Sequence, residues 1–233
     1  MQEYQVFADR DALVAAAVER IVEALTQAIN ERGRALMLVS GGSSPEPVYK
    51  ALSQRDLSWS SVSVALVDER WVEPDHSASN EGFIRRNLLT GPAAEAEFIG
   101  MKTSAETPQA GLAECGSRYD ALPDSADVCL LGMGSDGHTA SLFPYAEGLD
   151  LALASAQRCA AITAKQSDVT GMYTARMTLT AHYILSARRR LLLLTGEEKR
   201  SALREALAGE DNQAMPVRAI LNAAQTTDVF WAA

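Results

Sequence analysis

Leu13, Val14, Ala17, Val18, Ile21, Val22, Leu25 and Ile29 recur at intervals of three and four. That spacing sets them along one face of a helix, with Asp9 or Asp11 at its start and Gly33 at its stop. The pattern then changes. Residues 35–39 (ALMLV) form a short unbroken apolar run, suited to a strand covered on both faces. Similar runs fall at residues 62–67, 127–131, 191–194 and 228–232, and helical patterns at 46–53, 80–89, 109–122 and 197–208 separate them. The alternation predicts an α/β fold: a mostly parallel sheet with helices on both faces, a Rossmann-like three-layer sandwich. No repeat, low-complexity tract or linker interrupts it, and 233 residues fit one domain spanning 1–233. Residues 146–171 carry no clear period.

Parallel pairing brings the carboxyl ends of all strands to one edge, where open sheets bind ligands. Four of the runs end there in chemistry: Ser40-Gly-Gly-Ser-Ser-Pro45, Asp68-Glu-Arg70, Gly132-Met-Gly-Ser-Asp-Gly-His138 and Thr195-Gly-Glu-Glu-Lys199. In the first, Gly41 and Gly42 let backbone amides approach a ligand. Ser43, Ser44 and a Pro45 suited to the first helical turn could offer an anion site, but the loop taken alone reads first as a tight turn with a serine N-cap. The loop lacks the G-K-[ST] ending of a Walker loop, and Pro45 stands where a nucleophile elbow needs glycine.

Asp68-Glu69-Arg70 reads by default as a solvated strand end. It leads into a long polar loop of the kind that carries function, in which His76 alone reads as a surface histidine. Lys199 sits at a helix N-terminus, where a cation is disfavoured; the broken rule favours anion binding over a solvated lysine paired with a neighbouring glutamate. Arg176, between threonines in Tyr173-Thr-Ala-Arg-Met-Thr-Leu-Thr180, is expected at a helix start and taken alone is an ordinary surface arginine.

Gly132-x-Gly134-x-x-Gly137 matches the dinucleotide fingerprint in its glycines only. The fingerprint also needs a long helix and a distant acid. Here Pro144 allows one or two turns after His138, and Asp136 would stand where a pyrophosphate must approach. The glycines read instead as a bend that exposes Asp136 and His138, and imidazole suits proton transfer near neutral pH.

A net charge of −9 and a pI near 4.9 argue against a nucleic-acid partner. They also mean that an anionic substrate requires cations gathered locally. The N-terminal residues lack the basic and apolar regions of a signal peptide, and no apolar stretch approaches a membrane span. Cys115, Cys129 and Cys159 are odd in number and form no C-x-x-C; Cys129, in an apolar run, reads as a buried reduced thiol. These features together point to a reducing cytoplasm.

The segments SGGSSP, DERWVEPDHSASNEGF and LLGMGSDGHTASLFP, in this order, closely resemble 6-phosphogluconolactonases of the bacterial type. The likeness spans roughly residues 35–222, with Arg176-Met-Thr-Leu-Thr, Thr195-Gly-Glu-Glu-Lys199 and Met215-Pro-Val-Arg218 included. Related glucosamine-6-phosphate deaminases share a DGH loop but continue with an Asn-Glu-containing run, whereas Ala140-Ser-Leu-Phe-Pro144 follows here. The chain departs from the family in lacking a proline pair before Arg176.

The resemblance implies hydrolysis of 6-phospho-D-glucono-1,5-lactone to 6-phosphogluconate in the oxidative pentose phosphate pathway. It implies His138 as the base that deprotonates water, with Asp136 or Asp68 orienting the imidazole or binding sugar hydroxyls. Arg70 would serve the lactone end or the oxyanion, and Gly42, Ser43, Ser44, Arg176 and Lys199 the phosphate. No cofactor and no metal are implied; the partner is a small sugar-phosphate lactone, with no nucleic acid and no membrane, and the protein is expected as a monomer or weak homodimer. The rival readings are a deaminase on the same fold, a serine esterase using Ser43, Asp68 and His138, and a non-catalytic sugar-phosphate sensor.

Overall fold

Asp9 starts the first helix: its side chain accepts the Ala12 N–H at 2.8 Å, and Gly33 ends the helix in the left-handed region, φ 73°. The computed structural model describes residues 4–233. Its elements run β1 (Gln5–Val6), α1 (Arg10–Arg32), β2 (Ala35–Val39), α2 (Glu46–Leu52), β3 (Val62–Leu66), β4 (Asp68–Arg70), α3 (Asn80–Asn87) and β5 (Glu97–Ile99). They continue through α4 (Pro108–Asp120), β6 (Val128–Gly132), α5 (Leu149–Ala154), β7 (Cys159–Thr163), β8 (Ala175–Leu179), α6 (Ala181–Ser186), β9 (Arg189–Thr195), α7 (Glu197–Leu207), α8 (Arg218–Leu221) and β10 (Asp228–Ala232).

Seven strands form one sheet in the order β1-β10-β9-β6-β2-β3-β5, every pair parallel. Its central strands lie under helices, and this is why their sequences are unbroken apolar runs: all five residues of β2 and Leu191–Leu194 of β9 are buried. The chain moves one way across the sheet from β2 to β3 and β5, and the other way from β6 to β9 and β10. The reversal falls between the neighbours β2 and β6.

A second, antiparallel sheet in the order β4-β8-β7 stands beside the first. The chain passes from one sheet to the other at Val67, whose N–H donates to Val39 of the parallel sheet and whose carbonyl accepts from Leu179 of β8. Sequence periodicity does not reveal this small sheet, because β4 has three residues and β8 follows an irregular segment. Three expectations need correction here. Arg176 lies on β8, in mid-strand and buried, not at a helix start. No helix follows His138: residues 139–142 turn back on themselves through a Thr139–Leu142 bridge. Pro45 caps α2 from outside its first turn. The unassigned residues 146–171 contain α5 and β7.

At the amino-terminal edge of the sheet, Asp127 is a hub. Its carboxylate accepts the buried Leu36 N–H at 2.9 Å and pairs with Arg32 at 2.6 Å and Arg188 at 3.6 Å. Truncation leaves that backbone donor buried without a partner. We expect Asp127→Ala to lower unfolding stability by about 1–3 kcal/mol, read as a lower midpoint in denaturant, with Asp127→Asn costing less.

Candidate active site

The reversal between β2 and β6 opens a crevice at the carboxyl edge of the sheet, the position where such folds bind ligands. A cleft of ≈ 270 Å³ occupies it, lined by Ser40–Ser44 from the β2 loop and by Asp68 and Arg70 from β4. Gly132–Ser135 and His138 of the β6 loop, Arg176 of β8 and Lys199 of α7 also line it, together with Pro45, Asn80, Ala140, Phe143 and Val169. All four chemically loaded loops therefore meet at one place.

The β6 loop is built around a histidine–carboxylate pair. Asp136 folds back so that its Oδ1 accepts the His138 backbone N–H at 3.1 Å and contacts the ring Nδ1 at 2.6 Å. An ionised carboxylate only accepts, so Nδ1 bears the proton and Nε2 is left as the basic nitrogen. Burial pushes the Asp136 carboxyl up, but the bonds from the His138 ring and backbone outweigh it and hold it below its ordinary value. The His138 ring also stacks on Phe143, centroids 4.3 Å apart.

Two of the three glycines are required. A Cβ on Gly134 would run into the His138 ring and Asp136 Oδ1, and Gly137 adopts φ 78° against Met215. Gly132 has open space around it. The close approach that a dinucleotide fingerprint reserves for a pyrophosphate is here filled by the imidazole. Asp136 stands behind His138 and does not itself line the cleft.

Asp68 has a different environment. Its Oδ2 accepts Ser141 Oγ at 2.6 Å, and Asn80 Nδ2 donates to its Oδ1 and carbonyl oxygen at 3.2 and 2.9 Å. Asp68 thus links the β6 loop, three residues beyond His138, to the start of α3. The carboxylate on His138 is Asp136, and the order Ser43, Asp68, His138 does not assemble as an esterase triad.

The cations form an uneven set. Arg70 and Arg176 are directly opposite in the β4–β8 ladder, an arrangement of like charges that costs free energy unless an anion faces them. Arg70 Nη1 donates to the Ala78 carbonyl at 2.6 Å, while its Nε is buried without a partner among the described residues. Arg176 donates to the Tyr173 and Thr170 carbonyls at 2.6 and 2.9 Å and lies over the Phe143 ring. Burial, with Arg70 beside it, brings the Arg176 guanidinium down to about 10.

Lys199 stands in the first turn of α7 with no ion pair to a described residue. Burial lowers its pKa, with Glu198 opposing. The neighbouring Glu197 pairs with Arg200 instead. Beside Lys199, Ser44 Oγ lies 3.3 Å from Thr195 Oγ1, and Gly42 takes φ 114° to expose the turn.

Sequence reasoning missed Asn80, Ser141 and Phe143 as contributors. Each sits inside a quoted segment, but an amide, a hydroxyl and an apolar ring give no signal of their role before the loops meet. His76, read as a surface residue, bonds Ala78 N–H through Nδ1 and Tyr173 through Nε2 and does not line the cleft. Among the described residues no group of three or more His, Cys, Asp or Glu could hold a metal ion, and no helix is long and apolar enough to cross a membrane.

Comparison with known proteins places the chain in a family. The family described as glucosamine-6-phosphate isomerases/6-phosphogluconolactonase matches residues 8–231. A 6-phosphogluconolactonase of Pseudomonas aeruginosa is 43% identical over 209 residues, 89% of this chain and 85% of that protein. One from Rhizobium meliloti is 39% identical over 97% of both chains. The crystal structure of a 6-phosphogluconolactonase from Shewanella baltica superposes with a TM-score of 0.95 at 38% identity, covering 100% of this chain and 98% of that one. A monomeric glucosamine-6-phosphate deaminase, 19% identical with a TM-score of 0.81 over 99% of this chain and 97% of its own, shares the fold. The chain belongs to the glucosamine-6-phosphate isomerase/6-phosphogluconolactonase family.

Proposed function

We propose that this chain, acting as one domain in the cytoplasm, hydrolyses 6-phospho-D-glucono-1,5-lactone to 6-phosphogluconate. The reading is supported by the full-length likeness to 6-phosphogluconolactonases. The observation that carries the mechanism is the Asp136–His138 pair, set at the strand reversal in a cleft that also gathers Arg70, Arg176 and Lys199.

In this mechanism His138 Nε2 takes a proton from water as the water oxygen attacks the lactone carbonyl carbon. Asp136 holds the ring in the tautomer that leaves Nε2 free and stabilises the imidazolium that forms. Negative charge develops on the former carbonyl oxygen, and the Arg70 guanidinium, which lines the cleft, is the donor suited to meet it. Collapse of the tetrahedral intermediate breaks the bond to the ring oxygen, which takes the proton back from His138. The open-chain acid leaves.

The phosphate lies with the Gly42–Ser44 turn, Lys199 and Arg176, where the charge is desolvated and each bond counts for more. Arg176 spends two of its nitrogens on backbone carbonyls, so Lys199 is the less committed cation.

Three outcomes test the reading. His138→Ala is expected to reduce kcat by about 10²–10⁴-fold, and Asp136→Asn by on the order of 10²-fold or more through the wrong tautomer. Near wild-type turnover by either would remove the general-base assignment. Lys199→Ala is expected to raise KM with little change in kcat and to erode the preference for phosphorylated over unphosphorylated gluconolactone.

Because burial lowers the Lys199 pKa, its charge is lost earlier than an exposed lysine's as pH rises. KM should therefore climb on the alkaline side, and Lys199→Arg should move that rise to higher pH. Ammonia release from glucosamine 6-phosphate without lactone hydrolysis would select the deaminase reading instead.

A further inference from the structure

Behind the cleft, fully buried and outside its lining, lies a carboxylate that makes no ion pair with a described residue. Glu69 follows Asp68 on β4, and neither oxygen pairs with a Lys, Arg or His among the described residues. Its charge is met by four neutral donors: Oε1 accepts the Arg70 and Asn80 N–H groups at 2.8 and 2.7 Å, and Oε2 accepts Ser79 Oγ and the Glu81 N–H at 2.9 and 2.8 Å. Even so, burial pushes its carboxyl up to about 7. A buried charge of this kind costs stability that an apolar side chain would not. Two of its four donors, the Asn80 and Glu81 N–H groups, open α3, so Glu69 caps the helix together with Ser79 Oγ, which accepts the Gly82 N–H at 3.1 Å.

In capping the helix the carboxylate also fixes Asn80. The Asn80 side chain holds Asp68 by the two bonds described above, and its carboxamide fills the space where Gly41 would carry a Cβ. One amide side chain therefore braces two of the loops that form the cleft. Through Asp68 and Ser141 it also reaches the loop that carries His138.

We propose that Glu69 is a positioning residue for this site, clamping the first turn of α3 so that Asn80 holds Asp68 and the Gly41 turn in register with His138. In its effect on turnover the proposal rests on the lactonase reading; in its effect on the backbone it does not.

Glu69→Gln is the direct test, because it keeps the shape but turns one acceptor into an NH₂ group facing donors. Hydrogen exchange in the full chain should quicken at residues 40–44 and 79–83 and stay unchanged in the central strands. For lactone hydrolysis kcat should fall by about tenfold to 10²-fold, the scale of a 1 Å misplacement, with KM changing much less. The double variant with Asn80→Ala should be no worse than the poorer single one, since both act through the same contact.

Unaltered local exchange overturns the proposal, as do additive losses. Loosening spread over the whole fold with wild-type kcat per folded molecule would reduce Glu69 to a structural role and also overturn it. If Glu69→Gln fails to fold, Glu69→Asp, one methylene shorter with both acceptors kept, is expected to show the same local exchange and kcat loss. A wild-type chain inactive on the lactone refutes the lactonase reading alone, and the exchange result still decides Glu69.

Discussion

Parallel pairing between β2 and β6 sets the terms for everything at the site. The two strands are hydrogen-bonded with Val39 opposite Leu130, so both chains leave the sheet at the same edge and side by side. Their onward connections run in opposite directions across the sheet, so neither loop folds over the other, and the space between them stays open. One loop brings the Gly41–Gly42 turn and its serines, the other the Asp136–His138 pair. The small antiparallel sheet then walls the crevice on one side by carrying Asp68, Arg70 and Arg176, and α7 closes the other with Lys199.

Electrostatics at this edge runs against the molecule as a whole. A chain of net charge −9 concentrates two opposed arginines and a half-buried lysine around one cleft. Burial first, and Arg70 beside it second, bring the Arg176 guanidinium down to about 10. The like-charge register of the two strands costs free energy, which the Asp68 and Glu69 carboxylates near Arg176 offset in part. Asp136 acts elsewhere. It lies behind His138, outside the cleft lining, and directs its charge through the ring.

How much of this is legible in the sequence varies with the length scale of the signal. The five long parallel strands and the helices between them follow from apolar runs and three-to-four spacing. Both are consequences of burial on two faces or on one stripe, and they survive without knowledge of neighbours. The short strands β1, β4 and β5 offer two or three residues each, too few for any period. Arg176 lies on a five-residue strand, but the threonines around it look like a helix cap until β4 and β7 supply the ladder that makes the segment a strand.

Residue types and their order along the chain determine by themselves that chemistry gathers at one sheet edge, because parallel strands admit no other arrangement of their carboxyl ends. They also argue for a bend that carries Asp136 and His138 and against a nucleotide cradle, since the acid and the nearby proline are local facts; that only His138 faces the cleft, with Asp136 behind it, comes from the fold. Which carboxylate holds the imidazole is settled only in three dimensions. Asp136 and Asp68 are equally acceptable in sequence, but the bend at Gly134 brings one to Nδ1 while Ser141 and Asn80 engage the other. The bracing by Asn80 and the buried Glu69 likewise belongs to tertiary structure alone, because a hydrogen bond between segments remote in sequence has no signature in either of them.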